Sequence, residues 1–119
     1  MEPRYAVAFQ RRQRERHEYR RALSRQVMER LRAASSDAAA LYPSIVRLTA
    51  FGSVACGRAT EHSDVDVLAE GIAAVEYFPL RHFLSERLDR EVDLHTDTEP
   101  REFVGKVRER GRCVYERKC

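Results

Sequence analysis

From about residue 9 to residue 40 the chain contains neither glycine nor proline. In a chain of 119 residues that one stretch sets the architecture. Leu23, Val27, Met28 and Leu31 recur at steps of three or four, which puts them on one face of a long amphipathic helix. Such a face must be covered by another layer, and the rest of the chain has to supply it. What remains is enough for one small core and leaves no room for a separate substrate-recognition domain.

Pro43 and Ser44 break the helical pattern. Ile45 to Phe51 is β-prone and reads as a first strand. Gly52, Ser53 and Gly57 mark a tight loop that leads into a short helical turn. Val65, Val67 and Leu68 form a second strand around two aspartates. Residues 76–89, with Phe83, Leu84 and Leu88 on one side, predict a second helix, and residues 91–95 a short third strand. A C-terminal helix opens with Thr98 as N-cap and Pro100 in its first turn, and Gly111 ends it. Cys113 to Tyr115 adds an edge strand. The expectation is an α/β (α+β) fold in a single domain, 1–119. A helical region at 1–42 precedes a core at 45–116.

Composition narrows the class. With 43% hydrophobic and 34% charged residues the chain reads as folded rather than disordered. Its apolar runs are too short to span a membrane. The N-terminus has no extended apolar region of the kind a secretory signal needs. Cys56, Cys113 and Cys119 form no Cys-x-x-Cys pair, which argues against a disulfide framework or a structural zinc site. A reducing cytoplasm is the expected compartment. Residues 1–33 carry ten arginines and four glutamates, a net +6 within an overall +3. These arginines read as a solvated or partner-docking helix face. Aromatic residues for base stacking are sparse there, which argues against direct nucleic-acid binding.

The segment from Phe51 to Val67 carries the chemistry. Strand side chains alternate, so Asp64 and Asp66 point the same way, and both are expected to face solvent. Two carboxylates on one face repel each other unless a cation sits between them, and Mg²⁺ commonly bridges carboxylates to substrate phosphates. The Gly52-Ser53 pair after a strand allows close backbone approach, and its N–H groups and the Ser53 hydroxyl can hold phosphate oxygens. Asp93 lies on a strand expected beside the Asp64–Asp66 strand. If it faces the same side, three carboxylates converge to bind metal, with Asp93 also a general base.

Gly-Ser, ten residues, Asp-x-Asp and a later Val-Asp-Leu together resemble the DNA polymerase β-type nucleotidyltransferase superfamily. The short chain and the Arg-Glu-Val-Asp-Leu-His-Thr segment resemble its minimal nucleotidyltransferases (MNT) of bacteria and archaea. The resemblance implies a small mixed β-sheet flanked by helices, with Mg²⁺ as cofactor and a nucleoside triphosphate, usually ATP, as substrate. It assigns metal binding and catalysis to Asp64, Asp66 and Asp93, and nucleotide contacts to Gly52 and Ser53. Many such proteins are antitoxins paired with a HEPN-type ribonuclease toxin, and some adenylylate a tyrosine hydroxyl of that partner.

Relatives often carry arginine near the positions filled here by Val54 and Cys56. Arg58 is the neighbouring residue able to replace that charge at the nucleotide. Cys56 has no base beside it in sequence and reads as a packing thiol, and His95 as a partly exposed structural histidine. Two other readings stay open: a non-catalytic protein that neutralises its partner by occlusion, and a small-molecule adenylyltransferase. Enzymes of the latter kind usually carry an additional helical domain.

Overall fold

The computed structural model describes residues 3–118; Met1, Glu2 and Cys119 lie outside the described residues. Helix α1 spans Pro3–Leu41. It starts earlier than expected because residues 4–8 contain no helix breaker and proline is tolerated in a first turn. Its two halves differ. Val27, Met28, Leu31, Ala34 and Ala38 are buried, whereas Tyr5, Val7, Phe9 and Tyr19 are exposed. Leu23 is only half-buried, so the expected apolar face enters the core from Val27 onward.

The remaining elements are β1 (Arg47–Phe51), α2 (Gly52–Ala55), β2 (Val65–Glu70), a 3-10 turn (Ala74–Glu76), α3 (Tyr77–Leu88), β3 (Val92–Thr96), α4 (Arg101–Arg110) and β4 (Arg112–Glu116). The four strands lie in the order β3-β2-β1-β4. β2 and β3 are parallel, while β1 is antiparallel to both β2 and β4, so the sheet is mixed as expected. A parallel pair needs a crossover, and α3 supplies it between β2 and β3. Among the described residues no helix is long and apolar enough to cross a membrane.

The C-terminal helix corrects one expectation. Its N-cap is Pro100, not Thr98, and it begins at Arg101. The Thr98 hydroxyl is taken by Thr96 Oγ1 at 2.6 Å, inside a turn that Glu99 N–H closes on the Thr96 carbonyl at 3.2 Å. The turn puts Thr98 two residues ahead of the N-cap position, so its hydroxyl does not cap the helix.

Each face of the sheet has its own cover. Leu48, Ala50, Val65, Val67, Ala69, Val92 and Leu94 pack with α1 and with Leu80, Leu84 and Leu88 of α3. On the other face Leu68 packs under Val104 and Val107 of α4, with Phe51 and Phe103 alongside. Buried Glu70 ties this second layer down. Arg108 of α4 reaches it through Nε at 2.8 Å and also through Nη2, and Arg47 of β1 adds a contact at 3.4 Å. The Glu70 side chain is only 5% exposed, so its charge depends on those guanidinium groups in place of water.

Glu70→Ala strips α4 of this anchor. Hydrogen bonds to charged groups are each worth about 1.5–3 kcal/mol, so the variant should lose about 2 kcal/mol and several degrees of melting temperature. Thermal unfolding followed by circular dichroism is the check. An unchanged midpoint would show that apolar packing alone holds α4.

Candidate active site

Asp66 and Asp93 occupy paired positions on the parallel strands β2 and β3. The alternation that sends Val65 and Val67 toward α1 and α3 turns both aspartates to the α4 face, at the end α4 leaves uncovered. His95, two residues beyond Asp93, shares that face. Asp66, Asp93 and His95 offer ligand atoms that all lie within 4.8 Å of one another.

Asp66 is half-buried, not solvent-facing as expected, because the backbone of Gly52 lies against it. Gly52 has φ +77, and a side chain there would overlap Asp66 Oδ2. The left-handed backbone favours glycine, and an added Cβ would displace the Asp66 carboxylate. Burial, followed by the negative charge of Asp93, pushes the Asp66 carboxyl above its ordinary pKa; His95 acts against that shift and Asp64 adds slightly to it. A facing carboxylate pair that is disfavoured in its charged form suits a divalent cation. The donor set fits such an ion, with Asp66 and Asp93 as its protein oxygens.

Asp64 stands apart. It is exposed, precedes β2, and lies outside the group formed by Asp66, Asp93 and His95, although its charge reaches Asp66. Ser53 is half-buried in the first turn of α2, directly after Gly52. Arg58 is exposed and lines a cleft on the α1 side of α2, away from the aspartate pair. Cys56 is exposed and lines the same cleft, so it is not the packing thiol expected; Val54 and Ala55 fill the core positions of that turn instead.

Three further residues shape the site. His95 places Nε2 3.3 Å from Asp93 Oδ2 and Nδ1 2.9 Å from Glu99 Oε2. Burial alone would lower the His95 pKa, but the bond to Glu99 and the charges of Glu99 and Asp93 outweigh it, and the net shift is upward. The ring is wedged between Phe51 and Phe103, with centroids 5.3 and 5.1 Å away. Arg90 donates to the carbonyls of Thr60 and Ser63, both at 3.0 Å, and so holds the loop that delivers Asp64. The same loop is closed by Thr60 N–H to Ser63 Oγ at 2.8 Å. The His95–Glu99 contact had no signal in the spacing, because it exists only once the turn after β3 bends the chain back. Arg90 carried none either, because its role exists only once α3 brings it beside the loop.

The family described as nucleotidyltransferase domain matches residues 31–117. No curated protein matches the chain in sequence. Among solved structures, a toxin–antitoxin crystallised with AMP-PNP aligns with TM-score 0.62 at 17% identity, covering 73% of this chain and 74% of its own. A structure of tri-AMPylated Shewanella oneidensis HEPN toxin in complex with MNT antitoxin aligns with TM-score 0.54 at 15% identity, covering 79% and 73%. A candidate nucleotidyltransferase from Sulfolobus solfataricus gives 0.53 at 18% identity, covering 86% and 88%. These identities speak for a shared fold, while the match over 31–117 speaks for the sequence itself. With Gly52 against Asp66, Asp66 facing Asp93, and that match spanning most of the chain, the protein belongs to the nucleotidyltransferase-domain family.

Proposed function

We propose that this protein transfers AMP from ATP to a hydroxyl group of a partner protein in a Mg²⁺-dependent reaction, and that it is the antitoxin of a HEPN-type ribonuclease toxin. The observation that carries this reading is the Asp66–Asp93 pair on neighbouring strands, with their carboxylates close together and Gly52 of the Gly52-Ser53 turn against Asp66. The similar folds of a toxin–antitoxin holding AMP-PNP and of a complex with an AMPylated HEPN toxin support the choice of nucleotide and partner.

Mg²⁺, a hard ion that prefers oxygen ligands, would be held by Asp66 and Asp93 with Asp64 at the rim, and would neutralise charge on the triphosphate. The chain's own residues do the rest. Gly52 lets a phosphate come up to the backbone, and the Ser53 hydroxyl donates to a phosphate oxygen. Asp93, with a side chain 56% exposed, is open to an incoming hydroxyl. It takes the proton as the acceptor oxygen bonds to the α-phosphorus and the bond to the bridging oxygen breaks, releasing pyrophosphate. His95 orients the Asp93 carboxylate through the 3.3 Å contact, and Glu99 orients His95.

A second reading has its own observation. Val54, where relatives often carry arginine, is 1% exposed and belongs to the core, so no cation is available from that position. A protein that blocks its partner by occlusion alone would tolerate that loss.

Replacing both Asp64 and Asp66 with Asn should abolish Mg²⁺-dependent ATP binding in calorimetry and leave the circular dichroism spectrum unchanged. Relief of the carboxylate repulsion should also raise the melting temperature of the variant above that of the native protein in EDTA. Equal ATP affinity with and without Mg²⁺ in the native protein would argue against the site.

Asp93→Asn keeps the side chain's size but removes its basicity. Transfer should fall by about a hundred-fold or more, in keeping with loss of a general base, while ATP binding falls far less. The assay is the mass of a co-incubated HEPN-type partner after exposure to Mg²⁺ and ATP. An added adenylyl mass with the native protein and none with Asp93→Asn is expected. Protection of the partner with its mass unchanged would sink the enzymatic reading in favour of occlusion.

A further inference from the structure

Arg21, Arg25, Arg32, Arg58 and Arg112 converge on one cleft of about 600 Å³ between α1, the segment after α2 and the start of β4. None of the five forms a salt bridge or side-chain hydrogen bond with another described residue. Arg47, Arg81, Arg87 and Arg108, by contrast, each hold a carboxylate, and Arg90 and Arg117 hold backbone carbonyls. Among the described residues that line the cleft, Glu29 is the one carboxylate.

The cleft is built, not merely decorated. Arg21, Arg25 and Arg32 lie four and seven residues apart, which places them on one face of α1. Ser24, buried on that face, accepts the Ala59 N–H at 2.9 Å and fixes α1 against the loop. Gly57, at φ +77, turns the chain beside Arg21 in a left-handed conformation that glycine favours. Met28, Val54 and Ala55 are buried and make an apolar floor for the arginine stems. The walls are thereby held while the guanidinium groups stay free.

Cations crowded between low-dielectric walls repel one another, and a bound anion relieves the repulsion. Guanidinium forks match phosphate oxygens in pairs. Among the described residues that line the cleft there is no Phe, Tyr or Trp, and the single imidazole of His17 is outnumbered by five guanidinium groups, so recognition there is chiefly of phosphate. Its volume falls within the range of about 300–1,000 Å³ usual for small-ligand pockets. The ligand these features select is small, strongly anionic and recognised by its phosphates.

We propose that this cleft is a second anion site, separate from the aspartate pair, that takes a compact polyphosphate group such as tripolyphosphate or the phosphate tail of a nucleotide. The separation is physical. Asp66 and Asp93 face α4, the cleft faces α1, and α2 stands between them, with Gly52 touching one and Val54 to Arg58 lining the other. The proposal does not rest on AMP transfer.

Calorimetry in EDTA isolates the cleft, since without a cation the aspartate pair repels anions. Tripolyphosphate should bind the native protein, and the Arg25→Gln/Arg32→Gln variant should bind it at least ten-fold more weakly. Arg14→Gln/Arg16→Gln removes the same charge from exposed positions of α1 outside the cleft and should leave the affinity unchanged. ATP in EDTA separates the two sources: equal affinity for both ligands means that free polyphosphate suffices, and tighter ATP binding assigns the phosphates to a nucleotide. Absence of binding in EDTA would overturn the proposal, and so would an equal loss in both double variants. Displacement of tripolyphosphate by single-stranded RNA or a poly-glutamate peptide at lower phosphate or carboxylate concentration would also overturn it, by assigning the arginines to a macromolecular partner.

Discussion

The rest of the molecule depends on the two-sidedness of β2. Its odd positions, Val65, Val67 and Ala69, enter the core made with α1 and α3. Its even positions do three different jobs along one line. Asp66 meets Asp93 at the open end, Leu68 packs beneath α4, and Glu70 clamps Arg108 at the far end. A slip of one residue would bury Asp66 and Glu70 in the main core and expose the valines, an error no local repacking could absorb. The register that makes the fold stable is therefore the register that makes the site.

That dependence explains what could be read from the residues alone. Alternation in a strand is a strict rule, so the approach of Asp93 to Asp66 followed from spacing once β3 was expected beside β2. The degree of burial did not follow. Asp66 is half-buried because Gly52 lies against it, and Asp64, two residues earlier, escapes into solvent where the sheet has not yet begun. Spacing treats the two as equivalent; the edge of the sheet separates them. His95 was visible as a neighbour of Asp93, but its contact with Glu99 depends on a turn at the end of β3 that bends the chain back.

The elements were legible where one force dominates and less so where two compete. α1, free of breakers, and the strands, rich in β-branched residues, lie within a few residues of expectation. Thr98 shows the competition: its hydroxyl could cap a helix or close a turn, and the turn places it two residues ahead of the N-cap. Cys56 shows another. It sits next to two small residues that pack inward, and a thiol in that sequence looks buried, yet the brief turn of α2 swings it outward beside Arg58. Such outcomes depend on the phase of a four-residue helix, which periodicity cannot define.

Charge is arranged on this fold in a way that net charge conceals. The whole chain stands at only +3, yet α2 separates a carboxylate pair from a cleft of five arginines. These groups would neutralise one another if the chain let them meet, as Glu70 does with Arg47 and Arg108. The sheet keeps them apart: one group faces α4 and the other α1. On the acidic side burial first, and the charge of Asp93 second, push the Asp66 carboxyl above its ordinary pKa. The apolar layer beneath α1 and α3, with Leu31, Leu48, Leu80 and Leu84 fully buried, supplies the stability on which this separation of charge rests. A fold that spends stability to keep opposite charges from pairing leaves both available to ligands. A cation bound at the aspartates, or an anion bound at the arginines, would stabilise the folded state by mass action.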